Sequence, residues 1–155
     1  MSGLEAQKVL EKVLNGVAVV SSRKGDKING LAVAWMTQVS YRPPLVAVSV
    51  GKARYTHEMI ESSRVFAVSI LHEGQIEIAK LFGLQSGRDM DKFAQVAFET
   101  KVSGSPVLKD CLAFLDCKVE SSLQVGDHTI FIGSILDAGI KRDEKPLIYN
   151  PEDYW

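Results

Sequence analysis

Lys52, Arg54 and Thr56 alternate in GKARYT, directly ahead of the helix-like stretch THEMIESS. The first N–H groups of a helix have no intrahelical partners, and the helix dipole favours negative charge there. Two cations and a hydroxyl at that place suit a phosphate. The same residues also suit a solvated basic turn with Thr56 as an ordinary N-cap. A second group is Trp35 with Thr37, Gln38 and Ser40, in AWMTQVS. Trp35 is a flat apolar body with one donor, fit either for a core or for a wall against a planar ligand. The hydroxyls and amide that follow match the polar edge of a heteroaromatic ring. A regular strand sets Trp35 and Thr37 on one face and Gln38 and Ser40 on the other, and the YRPP that comes next is able to break that regularity. His128, in GDHTIFIG, is of a residue type suited to proton handling or to a hydrogen bond with a redox cofactor, and equally to a structural role. Lys92 and Phe93, in GRDMDKF, pair a cation with an aromatic ring or simply anchor a charged loop. Asn29, before Gly30, reads as a turn residue.

Other chemistries lack their signatures. There is no GxGxxG or P-loop pattern, no GxSxG elbow or Ser/His/Asp set, and the carboxylates are scattered rather than paired in apolar surroundings. His57, His72 and His128 are not spaced as metal ligands, so no metal site is expected. The formal net charge of −1 gives no global basic field for nucleic acid or an anionic membrane, so any anion site is local. Cys111 and Cys117, in CLAFLDC, fit no CxxC pattern and read as reduced core residues on one strand.

These residues need elements to hold them. LEAQKVLEKVL carries apolar residues on one helical face and ends at Asn15-Gly16. VAVVSSR, KGDK and INGLAVAWMTQVS read as strand, turn and strand. Pro43-Pro44 enforces a loop, and PLVAVSV is a strand buried on both faces. RVFAVSIL is a further strand, QIEIAKLFG a helix stopped at Gly83, and QSGRDMDKF a polar loop. CLAFLDCKVESSLQVGD and HTIFIGSILDAGI are two long strands around Gly126-Asp127. Many hairpin-linked strands and few short helices predict a mostly β fold, a closed or partly closed antiparallel barrel. The 155 residues suit one domain spanning residues 1–155, with 46% hydrophobic and 24% charged residues. The N-terminal stretch has acidic residues and no apolar h-region, and no run approaches the ~20 residues of a membrane span. A cytoplasmic protein is expected.

Taken in order, INGLAVAWMTQVSYRPPLVAVSVGKARYTHEMIESSRVFAVSIL, FGLQSGRDMDKF, GDHTIFIGSI and PLIY resemble the flavin reductase-like, FMN-binding split-barrel proteins, and within them the flavoredoxin-like subgroup. The resemblance covers Val17 to Tyr149 and implies a Greek-key barrel of about six or seven strands that dimerises and holds FMN near the subunit interface. It implies that Met36, Thr37, Gln38, Val39 and Ser40 line the isoalloxazine ring, with Trp35 and Asn29 close by. It implies a phosphate cradle from Ser49, Val50, Gly51 and Lys52 through Arg54, Tyr55 and Thr56. Lys92, with Phe93 beside it, is placed near the ribityl chain or phosphate, His128 near the flavin, and Tyr149 with the terminal aromatics over the site. The implied activity is an NAD(P)H-dependent flavin or ferric reductase, with NADH or NADPH as donor and free flavin or a partner redox protein as acceptor. The alternative is an electron carrier that holds FMN tightly and exchanges electrons with another redox protein. A non-redox barrel that binds a different phosphorylated ligand is the third.

Overall fold

The computed structural model describes residues 2–154. Helix α1 spans Gly3–Leu10, strand β1 Ala18–Lys24, β2 Lys27–Val33, β3 Met36–Ser40 and β4 Leu45–Gly51. Helix α2 (Tyr55–Ser63), β5 (Val65–Ile70) and α3 (Ile76–Leu84) follow, then a 3₁₀ turn at Lys92–Gln95. The chain continues through β6 (Phe98–Thr100), β7 (Pro106–Leu108), β8 (Ala113–Val125), β9 (His128–Ile140) and α4 (Pro151–Tyr154). All the strand pairings are antiparallel. Gly25 and Gly126 sit at φ +62° and +55°, the left-handed region that glycine enters freely, and they close the β1–β2 and β8–β9 hairpins.

The main sheet runs β2-β1-β5-β8-β9-β4-β3, with β6 and β7 forming a separate pair. This corrects the expected strand INGLAVAWMTQVS. It breaks at Ala34-Trp35, and its halves lie at opposite edges of the sheet. β2 is almost wholly buried, whereas β3 is largely exposed. No single strand satisfies both environments, although the apolar letters run on without a gap. Two residues joining the two edges span less than ~10 Å, so the sheet must roll until its edges approach. The result is a barrel split between β2 and β3 rather than a closed one. A register shift between Gln38 and Ser40 further disturbs the alternation expected in β3.

Two cores follow from the strand period of two. Ala18, Val20, Val48, Phe66 and Phe131 fill the barrel. Val17, Val19, Phe82, Phe93 and Leu108 pack on its outside, under α3. Cys117 lies in β8, but Cys111 precedes that strand, contrary to the expected shared strand. Both are free and buried, and burial pushes the Cys117 thiol up to about 12.

Three helix boundaries differ from expectation. α1 stops at Leu10, short of Asn15-Gly16, and buries no residue, although its Ser2–Glu5 capping box is complete. Without a packing face inside the chain, the apolar stripe beyond Leu10 has nothing to extend it. α3 continues through Gly83 to Leu84. Thr56 is not the N-cap of α2. That position is Arg54, which makes no side-chain cap bond, and Thr56 is buried in the first turn.

Candidate functional site

β4 ends at Gly51, and the chain turns into α2 through Lys52–Arg54. This turn faces the β2 edge and the start of the loop after α3, and two joined clefts lie between them. The first, about 380 Å³, is bordered by Trp35, Ser49, Gly51, Arg54, His128 and Tyr149. The second, about 310 Å³, is bordered by Asn29, Arg54, Tyr55, Thr56, Arg88 and Lys92. Leu31, Arg54 and Gly83 belong to both.

The electrostatics of the second cleft are unusual. Lys92 is 1% exposed, yet its ammonium group meets only carbonyls, donating to Gly30 O at 2.9 Å and Phe82 O at 3.1 Å. Arg54 reaches the same Phe82 O at 3.5 Å. Neither cation has a carboxylate partner among the described residues. Burial, with a smaller push from Arg54, lowers the Lys92 pKa from 10.5 to about 8, and burial also lowers Arg54. Unpaired buried charge is costly, so a pair of cations kept side by side calls for an anion from outside the chain. The N-terminus of α2 points the same way, because Arg54 leaves its first N–H groups without a side-chain cap. Asn29 Nδ2 donates to Thr56 Oγ1 at 3.1 Å, tying β2 to α2 across the cleft floor.

The first cleft is more apolar. Trp35 is 53% exposed, so it is no core residue. Its ring lies 4.8 Å from that of His128, tilted by 43°. Trp35 O accepts from Ser49 N, which fixes the break between β2 and β3 against β4. His128 Nδ1 meets Asp127 Oδ1 at 2.6 Å, and this hydrogen bond draws the Asp127 carboxyl down. His57, in the first turn of α2, is bonded to Thr129 Oγ1 at 2.8 Å.

The remaining expected site residues fall elsewhere. Met36 and Thr37 line an adjoining apolar hollow between β3 and α1, which shares Trp35, Ser49 and Tyr149 with the first cleft. Gln38 and Val39 are exposed on β3, and Ser40 is half-buried at its end. Val50 and Phe93 are buried in the two cores. Lys52 donates to Gly126 O at 2.9 Å, on the β8–β9 turn, and borders neither cleft. Tyr149 borders the first cleft, and the Trp155 expected over the site lies outside the described residues. Gly83, Gly87 and Arg88 were missed as lining residues. Gly83 lies in α3, and QSGRDMDKF marks the loop of Gly87 and Arg88 but gives no sign of its partner. Among the described residues no cluster of His, Cys, Asp or Glu is gathered to hold a metal. Among the described residues no helix is long and apolar enough to cross a membrane.

Residues 10–154 match the family described as "Flavin reductase like domain". The chain is 35% identical, over 92% of its length, to the high molecular weight rubredoxin of Moorella thermoacetica, and it spans 63% of that longer protein. It is 32% identical to a flavin reductase of Pseudomonas putida, over 91% of this chain and 82% of the relative. Its fold is similar to that of flavin reductase PheA2 in its native state, with a TM-score of 0.84 and 33% identity over 96% of this chain and 94% of the other.

Proposed function

The chain belongs to the flavin reductase like domain family, and from that membership we propose that its joined clefts hold a flavin as FMN, with NADH or NADPH as electron donor. The observation that carries this is the pair of neighbouring cations, Lys92 buried and Arg54 partly buried, without a carboxylate, beside an uncapped helix N-terminus. A phosphate monoester supplies the missing charge. Arg54, Lys92, the first N–H groups of α2 and the Thr56 hydroxyl hold it. The wider first cleft takes the ring system, with Trp35 and Tyr149 as walls that exclude water and Ser49 and Gly51 along its floor. When bound, FMN supplies hydride and single-electron chemistry that no side chain here supplies. With its Nδ1–H donating to Asp127 Oδ1, His128 keeps Nε2, on the Gly51 side, as an acceptor at the cleft. The electron acceptor is free flavin, a ferric complex or a partner redox protein, in the cytoplasm.

The electron-carrier reading has its own support. The relative named a high molecular weight rubredoxin is longer than this chain, which is consistent with a flavin domain working beside a second redox centre. An anaerobic visible spectrum of the flavin-loaded protein separates the two. Flavin bands that bleach rapidly with NADH or NADPH support the reductase. Bands that bleach only with dithionite support the carrier.

We also propose a homodimer. Leu4, Val9, Leu10 and Val13 are exposed on and just after α1, and Trp35 and Tyr41 flank β3 nearby. A hollow of about 510 Å³ between α1 and β3 joins the two surfaces and reaches Tyr149. A second copy would cover this apolar face and part of the first cleft. Sedimentation equilibrium of the whole chain tests it.

A further inference from the structure

Within the phosphate site proposed above, the direction of one donor is set from outside the helix. Thr56 is fully buried, and its Oγ1 accepts a hydrogen bond from Asn29 Nδ2 at 3.1 Å. A hydroxyl has one proton and two lone pairs. With a lone pair taken by Asn29, the proton is left for an acceptor. In helices a threonine hydroxyl commonly turns back to a carbonyl three or four residues earlier. Here its contact is the amide instead.

Asn29 is held in turn. It is 4% exposed on β2, and the backbone of the loop after α3 lies directly against its amide. A Cβ at Gly87 would sit 2.2 Å from Asn29 Oδ1 and 2.4 Å from its Cγ. Any residue larger than glycine there must displace the amide or the loop. Gly87, Asn29 and Thr56 therefore form a line running from the loop through the β2 edge into the first turn of α2. Its far end is the second cleft, where Lys92 and Arg54 lack an anion.

We propose that Asn29, pressed into place by Gly87, is a positioning residue that makes the Thr56 hydroxyl a donor toward a phosphate monoester. The inference rests on the phosphate reading above. Asn29 acts through Thr56 and need not touch the ligand.

The test compares FMN with riboflavin, which has the same ring and ribityl chain but no phosphate, by equilibrium titration of the flavin-free protein. Thr56→Val is expected to weaken FMN about tenfold and to leave riboflavin within about twofold. Asn29→Asp preserves size but only accepts, so the Thr56 proton turns to the new carboxylate. FMN should weaken by about tenfold or more, again with riboflavin little changed. Asn29→Ala should weaken FMN about threefold or more, and adding it to Thr56→Val should cost nothing further, since Asn29 works through that hydroxyl. Thermal unfolding of each variant identifies one that has merely lost its fold, and the isosteric Asn29→Asp then decides.

Losses that add independently would place Asn29 against the ligand itself and overturn the proposal. So would an FMN-to-riboflavin ratio unchanged by either Asn29 variant while Thr56→Val lowers it. Wild-type protein that binds the two ligands equally would overturn the phosphate reading first, and this inference with it.

Discussion

Lys92 is the residue whose charge state the proposed phosphate site depends on, and its titration can be followed. Burial and Arg54 together lower its pKa from 10.5 to about 8, which amounts to about 3 kcal/mol held against the charged form. In the ligand-free protein Lys92 therefore loses its proton as pH rises through about 8. A phosphate monoester, largely dianionic above about pH 7, favours the ammonium form again. Binding near pH 8 thus takes up a proton, and affinity for FMN must fall as pH rises. The expected loss is about fivefold between pH 8 and 9, and at most about 3 kcal/mol in all. Arg54 keeps its charge throughout, so binding declines to a plateau instead of vanishing. Lys92→Met keeps the stem and removes the titrating group. Its affinity at about pH 7 should fall ten- to a hundredfold, and the slope between about pH 7.5 and 9.5 should disappear. The assay is the dissociation constant of FMN, read by flavin fluorescence at closely spaced pH values in both proteins. A flat wild-type profile would refute the reasoning, as would an unchanged slope in Lys92→Met.

The same shift makes a prediction for stability. The unfolded chain keeps the Lys92 proton up to about 10.5 and the folded protein only to about 8, so unfolding free energy rises with pH across that window. Urea titrations should show a rise of at most about 3 kcal/mol in ligand-free wild type relative to Lys92→Met, and parallel profiles would contradict it. Trp35 emission, read in a Trp155→Phe background, should be quenched when FMN binds, and an unquenched Trp35 would remove it from the ring cleft. Gly133→Ala would place a Cβ 2.6 Å from the Phe66 ring and 2.9 Å from Cys117 Cβ. Overpacking there should cost about 1–3 kcal/mol by chemical denaturation.

What could be read from the sequence was local in nature. GKARYT ahead of an apolar-periodic stretch carries a helix N-terminus with two cations in a few letters, and the structure puts Arg54 and Thr56 on the cleft. Thr56 reads as a cap in the sequence, but its partner, Asn29, lies on another strand, and sequence spacing says nothing of such an approach. Trp35 carried two readings until its half-exposed ring removed the core one. The break beside it was hidden because LAVAWMTQVS reads as an unbroken strand, while the two halves answer to different edges of one rolled sheet. Lys52 is an exposed neighbour of Arg54 in sequence, but the turn aims it at Gly126 O. Gly87 and Arg88 reach the second cleft only because their loop folds back over β2, a tertiary event with no local signature.

The most direct measurement is the affinity of the flavin-free wild-type protein for FMN and for riboflavin at about pH 7. If Lys92, Arg54 and the start of α2 hold a phosphate, FMN should bind about a hundredfold or more tighter than riboflavin, since several charge-assisted contacts are lost with that group. Equal affinities would contradict the central claim, because Lys92 and Arg54 would then have some other purpose.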